Sequence, residues 1–271
     1  MQFTRSKIMI ASALALSTLL AACSKSDTPA DQKNTLTASA PITGEASTLS
    51  ERNTEQRLIQ TLQSNLANVN ISAKITSVKA SEVPNLYWVS FDNMPSMFVT
   101  KDGKYVIQGE IIRLDQKKIE NIGNNLQATT NAKIFESLKV EDLIVYPAKG
   151  KTKHVVYIFT DVSCPYCHKL QEEIPAINAK GIEVRYIAWP RGEDLMPAME
   201  SIWCSPDRKA AFESAISGLN PAAVNCKNPV REQYELGHKI GVNGTPAIYG
   251  QDGHALGAYM TAAELDKRLN N

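Results

Sequence analysis

The sequence has no excess of either charge: 29 Lys and Arg face 28 Asp and Glu, for a formal net charge of +1. That balance argues against nucleic-acid partners and against a polybasic membrane role. The apolar leader also falls short of the roughly 20 residues that a spanning helix needs. It runs from Ile8 to Ala22, is broken by Ser12, Ser17 and Thr18, and is followed by no basic stop-transfer cluster. Cysteine is scarce, with 5 in 271 residues. Cys164 and Cys167 are close together, but Cys204 and Cys226 are not, so the second ligand pair of a zinc site is missing. No metal and no cofactor are expected.

What is there begins with the leader. Arg5 and Lys7 precede it and Leu20-Ala21-Ala22-Cys23 closes it, so residues 1–22 read as a signal peptide. The closing tetrapeptide resembles the lipobox of bacterial lipoproteins, in which the cysteine becomes the first residue and carries lipid. Cys23 is then the lipidation site, and an ordinary secretory leader with a cysteine nearby is the alternative. Diacylation plus acylation of the new amino terminus provides the more than one chain that stable anchoring takes. Ser24, rather than Asp, leans towards the outer membrane by resemblance to enterobacterial lipoproteins. Residues 23–50 are rich in Ser, Thr, Ala, Asp and Lys, hold Pro29 and Pro41, and lack apolar periodicity. They read as a flexible tether with a root-mean-square reach of roughly 30 Å.

The remainder is 51–271, and the chain's 43% hydrophobic content suits two modest domains there. In 51–115, Leu58, Leu62 and Leu66 make one apolar helix face with Ile59 beside them. Strand-like runs follow at Leu86–Phe91, at Met97–Val99 and Tyr105–Ile107 around Asp102-Gly103, and at Ile111–Leu114. One helix on a small sheet makes a thin core. Such a domain is either self-sufficient or pairs its exposed edges with a second copy. Residues 116–140 return to helical spacing, with Ile119, Ile122, Leu126, Ile134 and Leu138, and read as a linker helix or helix pair.

From 141 the pattern is a strand at 143–146, a strand at 154–159, a helix from Cys164 to Ala179 and a strand at 182–187. Helices near 193–203, 207–217 and 229–240 follow, then a hairpin turning at Asp252-Gly253 and a last helix opened by Thr261-Ala262-Ala263-Glu264. A strand–helix–strand unit, a helical insert, a hairpin and a final helix resemble the thioredoxin layout. The fold class is therefore an α+β N-terminal domain, a linker helix and an α/β thioredoxin-like domain with a helical insert.

Chemistry concentrates at Cys164-Pro165-Tyr166-Cys167, directly after the apolar run Val155–Phe159. The thiolate is the reactive form of cysteine, and a helix N-terminus favours it. Cys164 sits at that place; Cys167 is one turn further in and can reach its sulfur. The outer thiol can attack a disulfide and the inner one can release the mixed disulfide. Pro165 suits a first helical turn, where no N–H is needed. Thr245-Pro246 precedes an apolar strand and resembles the cis-proline loop that faces the dithiol in thioredoxin-like proteins, where it offers strand-like pairing to an extended peptide. Position 158, six before Cys164, is Ile where thioredoxin has a buried acid. Arg191, after Trp189-Pro190, is either a surface arginine or a neighbour that tunes the thiolate.

Phe159-Thr160-Asp161 before the Cys-x-Tyr-Cys-His-Lys-Leu run, Ile202-Trp203-Cys204, Leu236-Gly237 and Gly244-Thr245-Pro246-Ala247 resemble bacterial periplasmic disulfide isomerases of the DsbC type. Asp102-Gly103-Lys104 and Ile107-Gln108-Gly109 extend the likeness, which covers about 52 to 270. The resemblance implies a V-shaped homodimer joined by the 51–115 domain, with an apolar cleft between two thioredoxin-like domains. It implies Cys164 as nucleophile and Cys167 as resolving thiol. Thr245 and Pro246, with Pro165 and Tyr166, would then meet substrate. It also implies a stable Cys204–Cys226 disulfide, clients that are misfolded exported proteins with disulfides, and a DsbD-type membrane reductase as electron donor.

Pro165 departs from that pattern, since the DsbC type usually carries Gly there and Cys-Pro-Tyr-Cys belongs to the related DsbG type. A reductase of sulfenylated cysteines therefore stays open beside the isomerase. A holdase chaperone is a third reading, compatible with catalysis. An oxidase of the DsbA kind fits poorly with a separate N-terminal domain.

Overall fold

The computed structural model describes residues 44–115, 118–219 and 225–270. The signal peptide, Cys23 and the tether as far as residue 43 lie outside the described residues. Helix α1 (Gly44–Asn68) begins ahead of residue 51, inside the stretch read as tether. Its first turns carry no apolar spacing that would have marked them as helical. Leu58, Leu62 and Leu66 are buried, at 1%, 2% and 7% exposure, and pack on Val89, Phe91, Met97 and Val99. Ile59 faces outward.

The strands under that helix are β1 (Ile75–Ala80), β2 (Leu86–Phe91), β3 (Met97–Thr100) and β4 (Val106–Ile107), antiparallel in the order β1-β2-β3-β4. β2 is buried on both faces, because its other side meets Ile122 through Leu86 and Trp88. Gly103 makes the β3–β4 turn at φ +66°, a conformation L side chains resist, and lies against Leu58 and Thr61 of α1. β4 forms the edge, and Tyr105, Val106 and Ile107 stay 65%, 51% and 40% exposed.

The linker departs from the sequence reading. β5 (Ile112–Asp115) and β6 (Lys118–Asn121) form a two-stranded hairpin, so the linker opens with a strand where a helix was expected. Helix α2 (Ile122–Ser137) starts only at Ile122, where the Asn121 side chain accepts from the Asn124 N–H at 3.0 Å. Ile119 and Ile122 share a helical spacing by coincidence; Ile119 pairs across the hairpin with Leu114, and both are exposed.

α2 is packed at both ends. Its start joins Leu86, Trp88 and Phe98 through Ile122, and its end inserts Phe135 among Tyr157, Phe159, Trp189 and Tyr249. A row of side-chain bonds runs between: Trp88 Nε1 donates to Gln127, Gln127 to Asn131, and Asn131 to the Gly253 carbonyl at 3.0 Å.

The second sheet holds β7 (Ile144–Tyr146), β8 (His154–Thr160), β9 (Ile182–Ala188), β10 (Ala247–Gly250) and β11 (Ala255–Gly257) in the order β11-β10-β8-β9-β7. β8 and β9 are parallel, joined by α3 (Pro165–Ala179); the other neighbours are antiparallel. Alternation along β8 sends Val156 and Ile158 to one core with Leu170, Ile174 and Ile177 of α3. Tyr157 and Phe159 go to the other core with Phe135. Each fully buried aliphatic side chain there contributes roughly 1.5–3 kcal/mol. The insert comprises α4 (Met196–Trp203), α5 (Arg208–Ile216) and α6 (Val230–Ile240), which ends at Gly241 with φ +90°. α7 (Ala262–Leu269) starts with the Thr261–Glu264 capping box. α+β and then thioredoxin-like is the architecture.

Candidate active site

β8 ends at Thr160 in the middle of the sheet, and Asp161–Ser163 turns the chain into α3. Cys164 is the N-cap of that helix. Its N–H donates to the Asp161 carbonyl (3.1 Å), and its own carbonyl accepts from Cys167 (3.0 Å) and His168 (3.1 Å). Pro165 takes the first helical position, where a missing N–H leaves nothing unpaired. The His168 ring nitrogen Nε2 lies 2.6 Å from the Val162 carbonyl.

β10 pairs Ala247 with Phe159 and so carries the preceding Thr245-Pro246 to the C-terminal end of β8. The Thr245–Pro246 peptide bond is cis. Cys164 Sγ is 3.1 Å from the Thr245 carbonyl oxygen, to which the thiol donates across 81 positions of sequence. Cys164, Cys167, Thr245 and Pro246 thus meet in one place. Cys164 is only 2% exposed and Cys167 1%. Pro165 and Tyr166 project outward beside them, and the Tyr166 ring is 6.0 Å from that of Tyr259, with Lys169 Nζ over its face.

The two thiols are free and differ in kind. Burial disfavours the Cys164 thiolate, but donation from the Thr245 hydroxyl and from backbone and side-chain groups at Cys167 outweighs it. Its pKa falls below the ordinary cysteine value. Burial dominates at Cys167 and pushes it up to about 12, with negative charge on Cys164 adding in the same direction. The Thr245 hydroxyl is buried and settles on no fixed hydrogen-bond partner, so it is available to either sulfur. Such a pair can present one nucleophilic sulfur and hold the second as a protonated reserve.

Cys204 and Cys226 stand apart, bonded to each other in the helical insert with Cα atoms 5.7 Å apart. Among the described residues no three or more His, Cys, Asp or Glu cluster as a metal site. Ile158 is fully buried, so position 158 brings no acid to the core behind the dithiol helix. Arg191 is paired with buried Asp161, Nε to Oδ2 at 3.1 Å, next to the turn that carries Cys164. Two neighbours are not singled out as site residues by the sequence. Thr160, whose side chain acts on the Cys167 thiol, enters only as part of the Phe159-Thr160-Asp161 run, and Tyr259 reaches Tyr166 from the far hairpin.

A disulfide bond isomerase N-terminal domain model matches residues 32–128 and a thioredoxin-like domain model matches 141–271. The thiol:disulfide interchange protein DsbC of Dickeya dadantii (strain 3937) is 38% identical over 196 residues, covering 71% of this chain and 79% of that protein. DsbC of Escherichia coli (strain K12) is 33% identical over 214 residues, 77% of this chain and 86% of that one. DsbC of Pasteurella multocida (strain Pm70) is 31% identical over 229 residues, 82% and 93% of the two chains. With a DsbC-type N-terminal domain, a thioredoxin-like domain and a buried dithiol at its helix N-terminus, this chain belongs to the DsbC family of thiol:disulfide interchange proteins.

Proposed function

We propose that this protein is an exported disulfide isomerase and reductase that acts in its reduced form, through Cys164, on wrongly paired disulfides of other exported proteins. The observation that carries the reading is the contrast between the two sulfurs: thiolate favoured at Cys164, thiol enforced at Cys167.

The Cys164 thiolate attacks one sulfur of a client disulfide. A Cys164–client disulfide forms, the client S–S bond breaks, and the second client sulfur leaves as thiolate. That thiolate can attack another client disulfide, and eventually a client thiolate displaces Cys164. Disulfides are then exchanged with no net oxidation. In the other branch Cys167 loses its proton and attacks Cys164, forming Cys164–Cys167 and releasing a client reduced by two electrons. Burial pushes the Cys167 pKa up to about 12, so its thiolate is scarce at neutral pH. Loss of charge on Cys164 in the mixed disulfide eases this, but no buried acid at position 158 assists. The slow second branch gives the client time to rearrange. Escape by it leaves an oxidised protein that needs an electron donor, a DsbD-type membrane reductase.

Thr245 and Pro246 border the sulfur and, with exposed Pro165 and Tyr166, form the surface that meets the client chain. Residues 51–115 serve as the dimerisation domain: the edge strand β4 leaves Tyr105, Val106 and Ile107 exposed, which suits pairing with a second copy. The Cys204–Cys226 bond is a structural brace. The leader places the protein in the periplasm, and lipid on Cys23 holds it to a membrane, the outer one by its Ser24. An apolar cleft between two catalytic domains would also give chaperone activity. Pro165 favours a second reading, the DsbG-like reduction of sulfenylated cysteines.

The test is trapping. Reduced Cys167→Ser, mixed with a disulfide-bonded protein, should accumulate a mixed disulfide that maps to Cys164. Cys164→Ser should accumulate none. A mixed disulfide mapping to Cys167 in the wild type would overturn the assignment.

A further inference from the structure

The turn between β8 and α3 holds a carboxylate with no exposed surface. Four donors converge on Asp161: Oδ1 accepts from the Ser163 N–H (2.8 Å), and Oδ2 from Ser163 Oγ (3.1 Å), the Arg191 N–H (2.9 Å) and Arg191 Nε (3.1 Å). Arg191 Nη2 continues to the carbonyl and the hydroxyl of Ser163, both at 2.9 Å. One residue pair earlier, the Trp189 N–H donates to the Thr160 carbonyl at 2.9 Å. The segment after β9 is therefore bound to the turn before α3 by its backbone, by a buried charge and by a guanidinium fork.

A carboxylate is tolerated in such a place only when paired and fully hydrogen-bonded. What this pair controls follows from what the turn carries. The Asp161 carbonyl accepts from the Cys164 N–H, and Cys164 is the next residue after Ser163. A shift of the turn moves the cysteine relative to the N–H groups of Tyr166 and Cys167 and to Thr245, the groups that favour its thiolate. Arg191 also brings a positive charge to that end of the helix. A guanidinium is suited to this because its planar fork can hold carboxylate and carbonyl together.

We propose that Arg191 and Asp161 are positioning residues for the attacking sulfur: the ion pair between the buried Asp161 carboxylate and the partly exposed Arg191 guanidinium fixes the Asp161–Ser163 turn and thereby holds Cys164 at the N-terminus of α3, against Thr245. The assignment rests on the reading of Cys164 as the attacking thiol. The other titratable groups facing the turn are Cys167, through the Asp161 backbone, and His168, through the Val162 carbonyl. Lys169 instead lies over Tyr166.

The experiment compares full-length, reduced wild type with Arg191→Ala, Arg191→Lys and Ser163→Ala. Arg231→Ala removes an exposed pair with Glu193 and serves as control. Thiolate absorbance is followed against pH, alkylation of Cys164 is timed at neutral pH, and folding is monitored by far-UV circular dichroism. Arg191→Ala should shift the Cys164 titration upward by about one pH unit and slow its alkylation by up to about tenfold at pH below that titration, where one unit of pKa is a factor of ten in thiolate. Arg191→Lys should recover part of this, keeping the charge but not the fork. Ser163→Ala, which leaves Asp161 paired, should shift less and in the same direction, and Arg231→Ala should match wild type. Unchanged titrations in Arg191→Ala and Ser163→Ala would overturn the proposal and leave the pair a purely structural one. If Arg191→Ala does not fold, Arg191→Lys and Ser163→Ala decide by the same criterion. Should wild type itself show no preferential alkylation at Cys164, it is the reading of the attacking thiol that fails.

Discussion

Phe135 offers the sharpest test of how the linker is built. It lies in α2, outside the segment matched by the thioredoxin-like family model, yet it is 1% exposed. Its ring stacks on Tyr157 with centroids 4.6 Å apart and meets Tyr249 edge-on at 5.5 Å. The Tyr157 hydroxyl donates to its carbonyl at 3.3 Å. Phe135→Ala removes a ring enclosed on all sides, which costs about 3–5 kcal/mol when the cavity cannot collapse. Whole domains are stable by about 5–15 kcal/mol, so the loss is a large share. With a urea m-value of about 2 kcal/mol/M, the midpoint should fall by about 2 M. Equilibrium urea unfolding followed by tryptophan fluorescence and circular dichroism measures this, since Trp189 lies in the same cluster. A loss under about 0.5 kcal/mol, the range of ordinary surface substitutions, would mean α2 is a free linker and refute the packing argument. The same reasoning ranks two fragments: 122–271, which keeps Phe135 and Asn131, should unfold at higher urea than 141–271.

The remaining expectations concern the cysteines. Cys204→Ala combined with Cys226→Ala opens a loop with sequence separation 22 and should cost about 3 kcal/mol by urea unfolding; an unchanged midpoint would show the brace contributes nothing. In the reduced native protein, alkylation should rise with pH in two well-separated steps. Cys164, held below the ordinary cysteine value, is a thiolate above its lowered pKa and reacts first; Cys167 stays protonated until about pH 12. Mass mapping of a single adduct at neutral pH checks this, and equal labelling of both would contradict it. Labelled palmitate should enter the wild type and not Cys23→Ala; no incorporation in either would remove the lipoprotein reading.

Much of the fold was legible where local pattern and tertiary role agree. The run Val155–Phe159 followed by Cys164-Pro165 marks β8 and α3, because a strand buried on both faces must be apolar throughout and proline is at home in a first helical turn. Gly103, Gly241 and Gly253 each mark a turn or cap, all at positive φ. Legibility failed where a pattern had two readings. Ile119 and Ile122 continue a helical spacing, yet Lys118–Asn121 pairs with Ile112–Asp115 as a hairpin. Ile75–Ala80 carries three polar residues and only partial burial, so its strand left no mark.

The site was readable only in its local half. Cys164 and Cys167 announce themselves by spacing, whereas Thr245 reaches Cys164 across 81 positions and only motif resemblance linked them. Asp161 and Arg191 meet across 30 positions through strand order, and Asn124 pairs with the Ala255 backbone across 131. No periodicity encodes such pairs; they follow from which strands become neighbours.

The central claim, that Cys164 in its reduced state exchanges wrong disulfides for right ones, is tested most directly with scrambled ribonuclease. Reduced wild type in catalytic amount should restore ribonuclease activity, Cys164→Ser should restore none, and Cys167→Ser should restore part while trapping mixed disulfides. Rapid oxidation of reduced ribonuclease by the wild type, with the scrambled form left untouched, would contradict it and make the protein an oxidase.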